Sequence, residues 1–182
     1  MKFVKNIIMD EQTNHILEFV AVSKETVSFL EEQEGLTTHD FILKARQILP
    51  LLYLKASFLP ETENMLDGDL EQFVTPEHYE YMKLMIKQKL GDFDATIHLE
   101  DEFMMNTEDF LHVELSELFA DIYQDVGNFL LQYREGDDSI RNDAVWECGY
   151  NFQQYWGLRT LTLTEHLHRI VISDEFISKE NV

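Results

Sequence analysis

The stretch "WGLRTLTLTEHLH", Trp156–His168, admits two secondary structures, and the choice between them decides the fold. Threonine and leucine alternate from Thr160 to Thr164, which is the period of a half-buried strand. Gly157 stands just before the alternation, where it can break a helix. The flanks argue the other way. Val145, Cys148, Phe152, Tyr155, Trp156, Leu163, Leu167 and Ile170 recur at helical spacing on both sides of it. The longer pattern outweighs the shorter one. The expectation is a helix from about Ile140 to Ile172 that carries residues 158–164 within it.

Upstream, Leu111, Leu115, Leu118, Ile122, Phe129 and Tyr133 share one helical face. They predict a helix from Glu108 to Glu135, with Thr107 as its N-cap. "EGDDS" follows, Glu135–Ser139. Gly136 stops one helix, and Asp138 or Ser139 caps the next. So short a turn makes these two helices a long antiparallel hairpin. It also sets Arg159 level with Glu114 and Ser116.

The N-terminal half reads the same way. Ile16, Phe19, Val20, Val27 and Leu30 predict a helix over Gln12–Glu34, stopped by Gly35. A second starts at the candidate cap Thr38 and runs to Leu59. It contains "ILPLLYLKASFLP", Ile48–Pro60, the most apolar run of the chain. Thirteen residues with a lysine among them are too few to span a bilayer, which takes about 20. Pro50 lacks a donor and predicts a kink between Arg46 and Pro50. Lys55 lies near the apolar face and is expected to snorkel or to pair with an acid. Residues 60–74 form an acidic loop. Thr75 and Pro76 then open a third helix that ends near Gly91. Residues 92–106 are irregular or hold a short extended piece. Together the elements predict an all-α, single-domain bundle of about five helices over residues 1–182.

Composition limits the function. The 182 residues include 45% hydrophobic and 12% aromatic side chains, enough for a packed core. Fourteen basic residues face 35 acidic ones, a net charge of −21. Such a field repels nucleic acid and anionic membranes and favours basic partners. Residues 100–143 alone carry thirteen acids against two arginines. The only cysteine, Cys148, allows no internal disulfide and sits among apolar residues as a core residue would. The N-terminal "MKFVKNIIMDEQ" has no apolar core of a signal peptide, so the expected location is the cytoplasm.

No Walker A, G-x-S-x-G, G-x-G-x-x-G or H-E-x-x-H pattern occurs. Glu165-x-x-His168 and Asp109-x-x-His112 have the spacing of helical di-iron ligands. At ~100° per residue, however, Glu165 and His168 point more than about 120° away from the apolar stripe, so no metal or other cofactor is expected. "DGDLE", Asp67–Glu71, lacks the spacing of a calcium loop. Arg159 lies on the apolar face beside Tyr155 and Trp156 and needs an acceptor or an aromatic ring. "ADIYQD", Ala120–Asp125, puts Tyr123 between Asp121 and Asp125. Asp121, Tyr123, Asp125, Tyr155 and Arg159 are therefore the candidate partner-binding residues. The favoured function is a non-enzymatic adaptor or immunity-like protein that binds a basic partner protein. The alternative is an enzyme or small-ligand binder with a cleft built from Tyr155, Arg159, His166 and carboxylates of the preceding helix.

"ILPLLYLKASFLP", "EHYEYMKLMIKQKLGDFD", "ELFADIYQDVGNFL" and "NFQQYWGLRTLTLTEHLH" occur in that order. Together they resemble a bacterial family of about this size, described as a domain of unknown function. The resemblance implies an all-helical fold and carries over no activity or functional residues.

Overall fold

The computed structural model describes residues 2–99 and 111–179. Among these residues seven α-helices and one two-stranded sheet follow one another: α1 (Lys2–Glu31), α2 (Thr38–Ala56), α3 (Pro76–Leu90), β1 (Thr96–Leu99), β2 (Leu111–Glu114), α4 (Leu115–Glu135), α5 (Asp138–Asn151), α6 (Gly157–Val171) and α7 (Asp174–Lys179). The protein is a helical bundle, as its periodicity predicts. Among the described residues no helix is long and apolar enough to cross a membrane.

The Thr160–Thr164 alternation is helical. Thr160 and Thr164 satisfy their hydroxyls on the carbonyls one turn back, Trp156 and Thr160, at 2.8 and 2.7 Å. Leu163 and Leu167 enter the core while Leu158 and Leu161 stay exposed. Gly157 does not break the helix either. It closes a π turn, Phe152–Trp156, by donating its N–H to the Phe152 carbonyl. A Cβ at 157 would lie 2.3 Å from that same oxygen, so glycine is what lets the wider turn form. The predicted long helix is thus α5 and α6 joined by one extra residue. α5 packs on α4 to make the hairpin, while α6 packs chiefly on α2 and also on α4.

Several boundaries move, each for a local reason. Thr37, not Thr38, caps α2: its hydroxyl oxygen accepts from the Asp40 N–H at 3.0 Å. Thr38 instead donates to the Lys89 carbonyl and ties α2 to α3. Asp137, not Asp138 or Ser139, caps α5 by accepting from the Ser139 and Ile140 N–H groups. Thr75 caps α3 with Pro76 in the first turn, and Gly91 ends it at φ +55°.

The largest correction concerns residues 111–114, which are strand and not helix. Thr96 pairs with Glu114 and Leu99 with Leu111 in antiparallel register. Ile97 and Val113, paired on one face, are both 5% exposed. The β-branched residues suit a strand, but its partner lies too far upstream for local periodicity to reveal. α4 therefore starts at Leu115. Its cap comes from Asp94, whose carboxylate accepts from the Ser116 N–H and hydroxyl, both at 2.8 Å. The Thr107 cap and the Glu108–Phe110 turn lie outside the described residues.

α2 runs unbroken through Pro50, which is exposed. Pro50 withholds only the N–H that would reach the Arg46 carbonyl. Lys55 pairs with Glu18 of α1 at 2.7 Å. Most of the buried apolar side chains form one connected cluster, whose largest members include Phe19, Phe41, Phe119, Phe129 and Trp156. Phe19 packs between Phe129 and Trp156, and Phe41 between Phe29 and Phe119, at centroid distances of 4.9 to 6.3 Å. Cys148 lies in this cluster, where burial pushes its thiol well above the ordinary range.

Candidate functional site

α3 carries polar residues at one-turn spacing, and they meet a row formed by α4 and the last residue of β2. Tyr79 donates its hydroxyl to Asp121 Oδ1 at 2.9 Å, Lys83 pairs with Glu117, and Lys87 pairs with Glu114. The other Asp121 oxygen accepts from Nε of Arg159 at 2.7 Å. The Arg159 guanidinium carbon lies 3.5 Å from the centroid of the Tyr155 ring. The Asp121 side chain is only 7% exposed and that of Arg159 19%. Helical side chains lean towards the N-terminus. Arg159 accordingly folds back one turn over Tyr155 and meets Asp121, not Glu114 and Ser116. Those two are engaged by Lys87 and Asp94.

One turn beyond Asp121, Asp125 accepts from Nδ2 of Asn151 at 2.7 Å. Burial pushes the Asp125 carboxyl up to about 6. The Asn151 bond and Arg159 oppose the rise, while the carboxylates of Asp121 and Glu147 add to it. Burial and then the Asp121 charge raise the phenols of Tyr79 and Tyr155. The cluster is a tie across α3, α4 and α6. It holds its charges inward and contains a carboxyl whose pKa burial raises to about 6.

Four of the five candidate residues thus come together: Asp121, Asp125, Tyr155 and Arg159. Tyr123 does not join them. It faces α1, donates to Glu31 Oε1 at 2.9 Å, and forms the ridge between two grooves. His166 lies two turns past Arg159, with Nδ1 2.9 Å from the Thr162 carbonyl oxygen of its own helix. Glu165 is more than half exposed and pairs with Arg169 at 2.7 Å. Among the described residues no group of three His, Cys, Asp or Glu side chains is placed to hold a metal ion. Asp109 lies outside them.

Periodicity alone did not expose the second polar feature, a strap. Residues 60–74 have no regular structure, yet side chains of α4 and α5 pin their backbone. Asp143 accepts from the N–H groups of Met65 and Leu66, each at 2.8 Å. Asn128 Oδ1 accepts from those of Phe73 and Val74, again at 2.8 Å. Asn142 and Gln132 donate to the carbonyls of Glu63 and Glu71. Burial alone would raise the Asp143 carboxyl, but the bonds from Met65, Asn142 and Leu66 hold it below its ordinary range. The sequence did carry a signal for this. Asp121, Asp125, Asn128 and Gln132 form a polar stripe at helical spacing, and three of them, all but Asp125, are buried. A polar stripe that enters a core must meet polar groups there.

The strap presents five acids outward: Glu61, Glu63, Asp67, Asp69 and Glu71 are all exposed. Met65 between them is 66% exposed. The neighbouring surface carries Trp146 stacked on Tyr150, with ring planes 13° from parallel.

A solved structure, protein BF1032 of Bacteroides fragilis, is similar to this chain at 32% sequence identity and a TM-score of 0.75. The similarity covers 88% of this chain and 93% of that one. No functionally curated protein matches the sequence. The profile of a family described as a domain of unknown function, DUF5063, matches residues 10–173. The segments that suggested such a family all fall within that range, and the chain belongs to the DUF5063 family.

Proposed function

We propose that this protein is a non-enzymatic cytoplasmic adaptor or immunity-like protein that binds a basic partner protein and avoids nucleic acid. The pinned acidic strap carries this reading. Its five exposed acids have no cation against them among the described residues, and its backbone is already fixed by Asn128, Gln132, Asn142 and Asp143. A preordered charged segment loses less entropy on binding than a free loop. Its charge also accelerates encounter with a basic surface. The charges of the Asp121–Arg159 cluster, by contrast, are spent on one another across α3, α4 and α6.

Charge neutralisation tests the proposal. One variant changes Glu61, Glu63 and Glu71 to Gln and Asp67 and Asp69 to Asn. A charge-matched control changes Glu11, Glu32, Glu34 and Glu80 to Gln and Asp174 to Asn, all exposed positions. Affinity capture from a bacterial lysate at low salt should recover the same basic protein with the wild type and the control. The strap variant should lose it, and so should the wild type at high salt. Equal recovery by strap variant and wild type would sink the proposal, as would capture of nothing basic at low salt.

A further inference from the structure

We infer that the groove between α1 and α4 binds a small amphipathic carboxylate, with its apolar body on the groove floor and its charge at a cationic rim. The cavity measures about 530 Å³, within the range of small-molecule sites, roughly 300–1,000 Å³. Val20, Val27, Val74 and Leu130 supply an apolar floor. Gly127 also lines it, and a Cβ there would press on Val74 Cγ2 at 3.0 Å, so the glycine lets the end of the strap close the groove.

The rim is the unusual part. Lys24, Arg134 and Arg141 all line this groove, three of the fourteen basic residues in a chain of net charge −21. The one acid in the lining, Glu31, already accepts from Tyr123. Arg141 is held in place before any ligand arrives. Its Nε donates to the Tyr133 carbonyl at 3.0 Å, its guanidinium carbon lies 5.9 Å from the Tyr133 ring centroid, and Asp138 approaches at 3.8 Å. Arg134 donates Nε to its neighbour Glu135 at 2.6 Å. Elsewhere the acidic surface repels anions, so this rim is where an anionic headgroup gains most. A basic segment would face three cations here, so this groove and the strap suit ligands of opposite charge. On the far side of the Tyr123 ridge the second groove is acidic, lined by Glu31 and Glu34.

Dodecanoate below its micellar concentration is the probe, followed by titration calorimetry, with dodecanol and dodecyltrimethylammonium as uncharged and cationic counterparts. Two variants accompany the wild type. K24E/R141E reverses two rim charges, and S28W fills the groove from a half-buried lining position. Circular dichroism checks that each stays folded. K24Q/R141Q replaces the first should charge reversal unfold it. Dodecanoate should bind the wild type in the micromolar range. Rim variant, groove variant and dodecanol should each weaken binding by about tenfold or more, and the cation should not bind. Dodecanoate bound equally by all variants, dodecanol bound as tightly as dodecanoate, or no dodecanoate binding at all would each overturn the assignment.

Discussion

Arg159 has a carboxylate on one side and a phenol ring on the other. Taking it away leaves the buried carboxylate of Asp121 without its cation, with phenol hydroxyls such as that of Tyr79 still donating to it. Arg159→Met should therefore lower unfolding free energy by ~3 kcal/mol in urea titrations at neutral pH. Arg159→Lys should restore little, because a lysine neither forks nor stacks as a guanidinium does. Asp125 makes the second prediction. Its folded pKa of about 6 stands above the ordinary value near 3.9. The folded protein binds this proton more tightly than the unfolded chain. The stabilisation from Asp125 is thus complete below about pH 4 and is lost as pH rises through about 6. Asp125→Asn does not titrate. Urea midpoints should shift in favour of the variant between those two pH values and run parallel to the wild type above them. That Arg159 needed an acceptor was legible from its place on an apolar face. The acceptor's identity was not, because the backward lean of a long side chain and the π turn both shift the level at which it reaches α4.

At the scale of elements, the helices announced themselves by period, and the exceptions had causes outside the local window. β2 depends on β1, α4 depends on Asp94 for its cap, and the strap depends on side chains of α4 and α5, two and three helices further on. α7 is short, and Phe176 anchors it by stacking on His39 at a centroid distance of 4.2 Å, a contact no periodicity forecasts. Asp143→Ala removes the acceptor of two strap N–H groups. Stability should fall by ~1–3 kcal/mol, and hydrogen exchange at Met65 and Leu66 should accelerate far more than exchange in α2 or α4. Uniform acceleration across the helices would mean that the strap is not a separately anchored unit. Gly157→Ala forces a methyl group against the Phe152 carbonyl and ring. It should cost ~1–3 kcal/mol, although alanine is the better helix former, and thermal unfolding reads the sign directly.

For the whole molecule, the excess of acids is a mechanical load as well as a recognition signal. Some ion pairs of the described residues join neighbouring helices, such as Lys55 to Glu18 and Lys44 to Glu25, but 14 cations cannot offset 35 acids. Like charges over the surface repel, and added salt screens them within about 10 Å at 0.1 M. The melting temperature should rise as sodium chloride goes from low to moderate concentration. A protein held mainly by exposed ion pairs would show the opposite trend. Charge and hydropathy told the class of molecule from the sequence alone. Where the acids stand and which of them are free needed the third dimension.

The extra residue between α5 and α6 resembles a dislocation in a crystal: one row is inserted, and everything beyond it is rotated. Dislocations in helices can glide when neighbouring turns trade their hydrogen bonds. This one is pinned. Sliding it by one step in the same geometry would bring Trp156 or Leu158 to the place where only a hydrogen atom clears the facing carbonyl. The defect stays put, and with it the azimuth of every side chain of α6, Arg159 included.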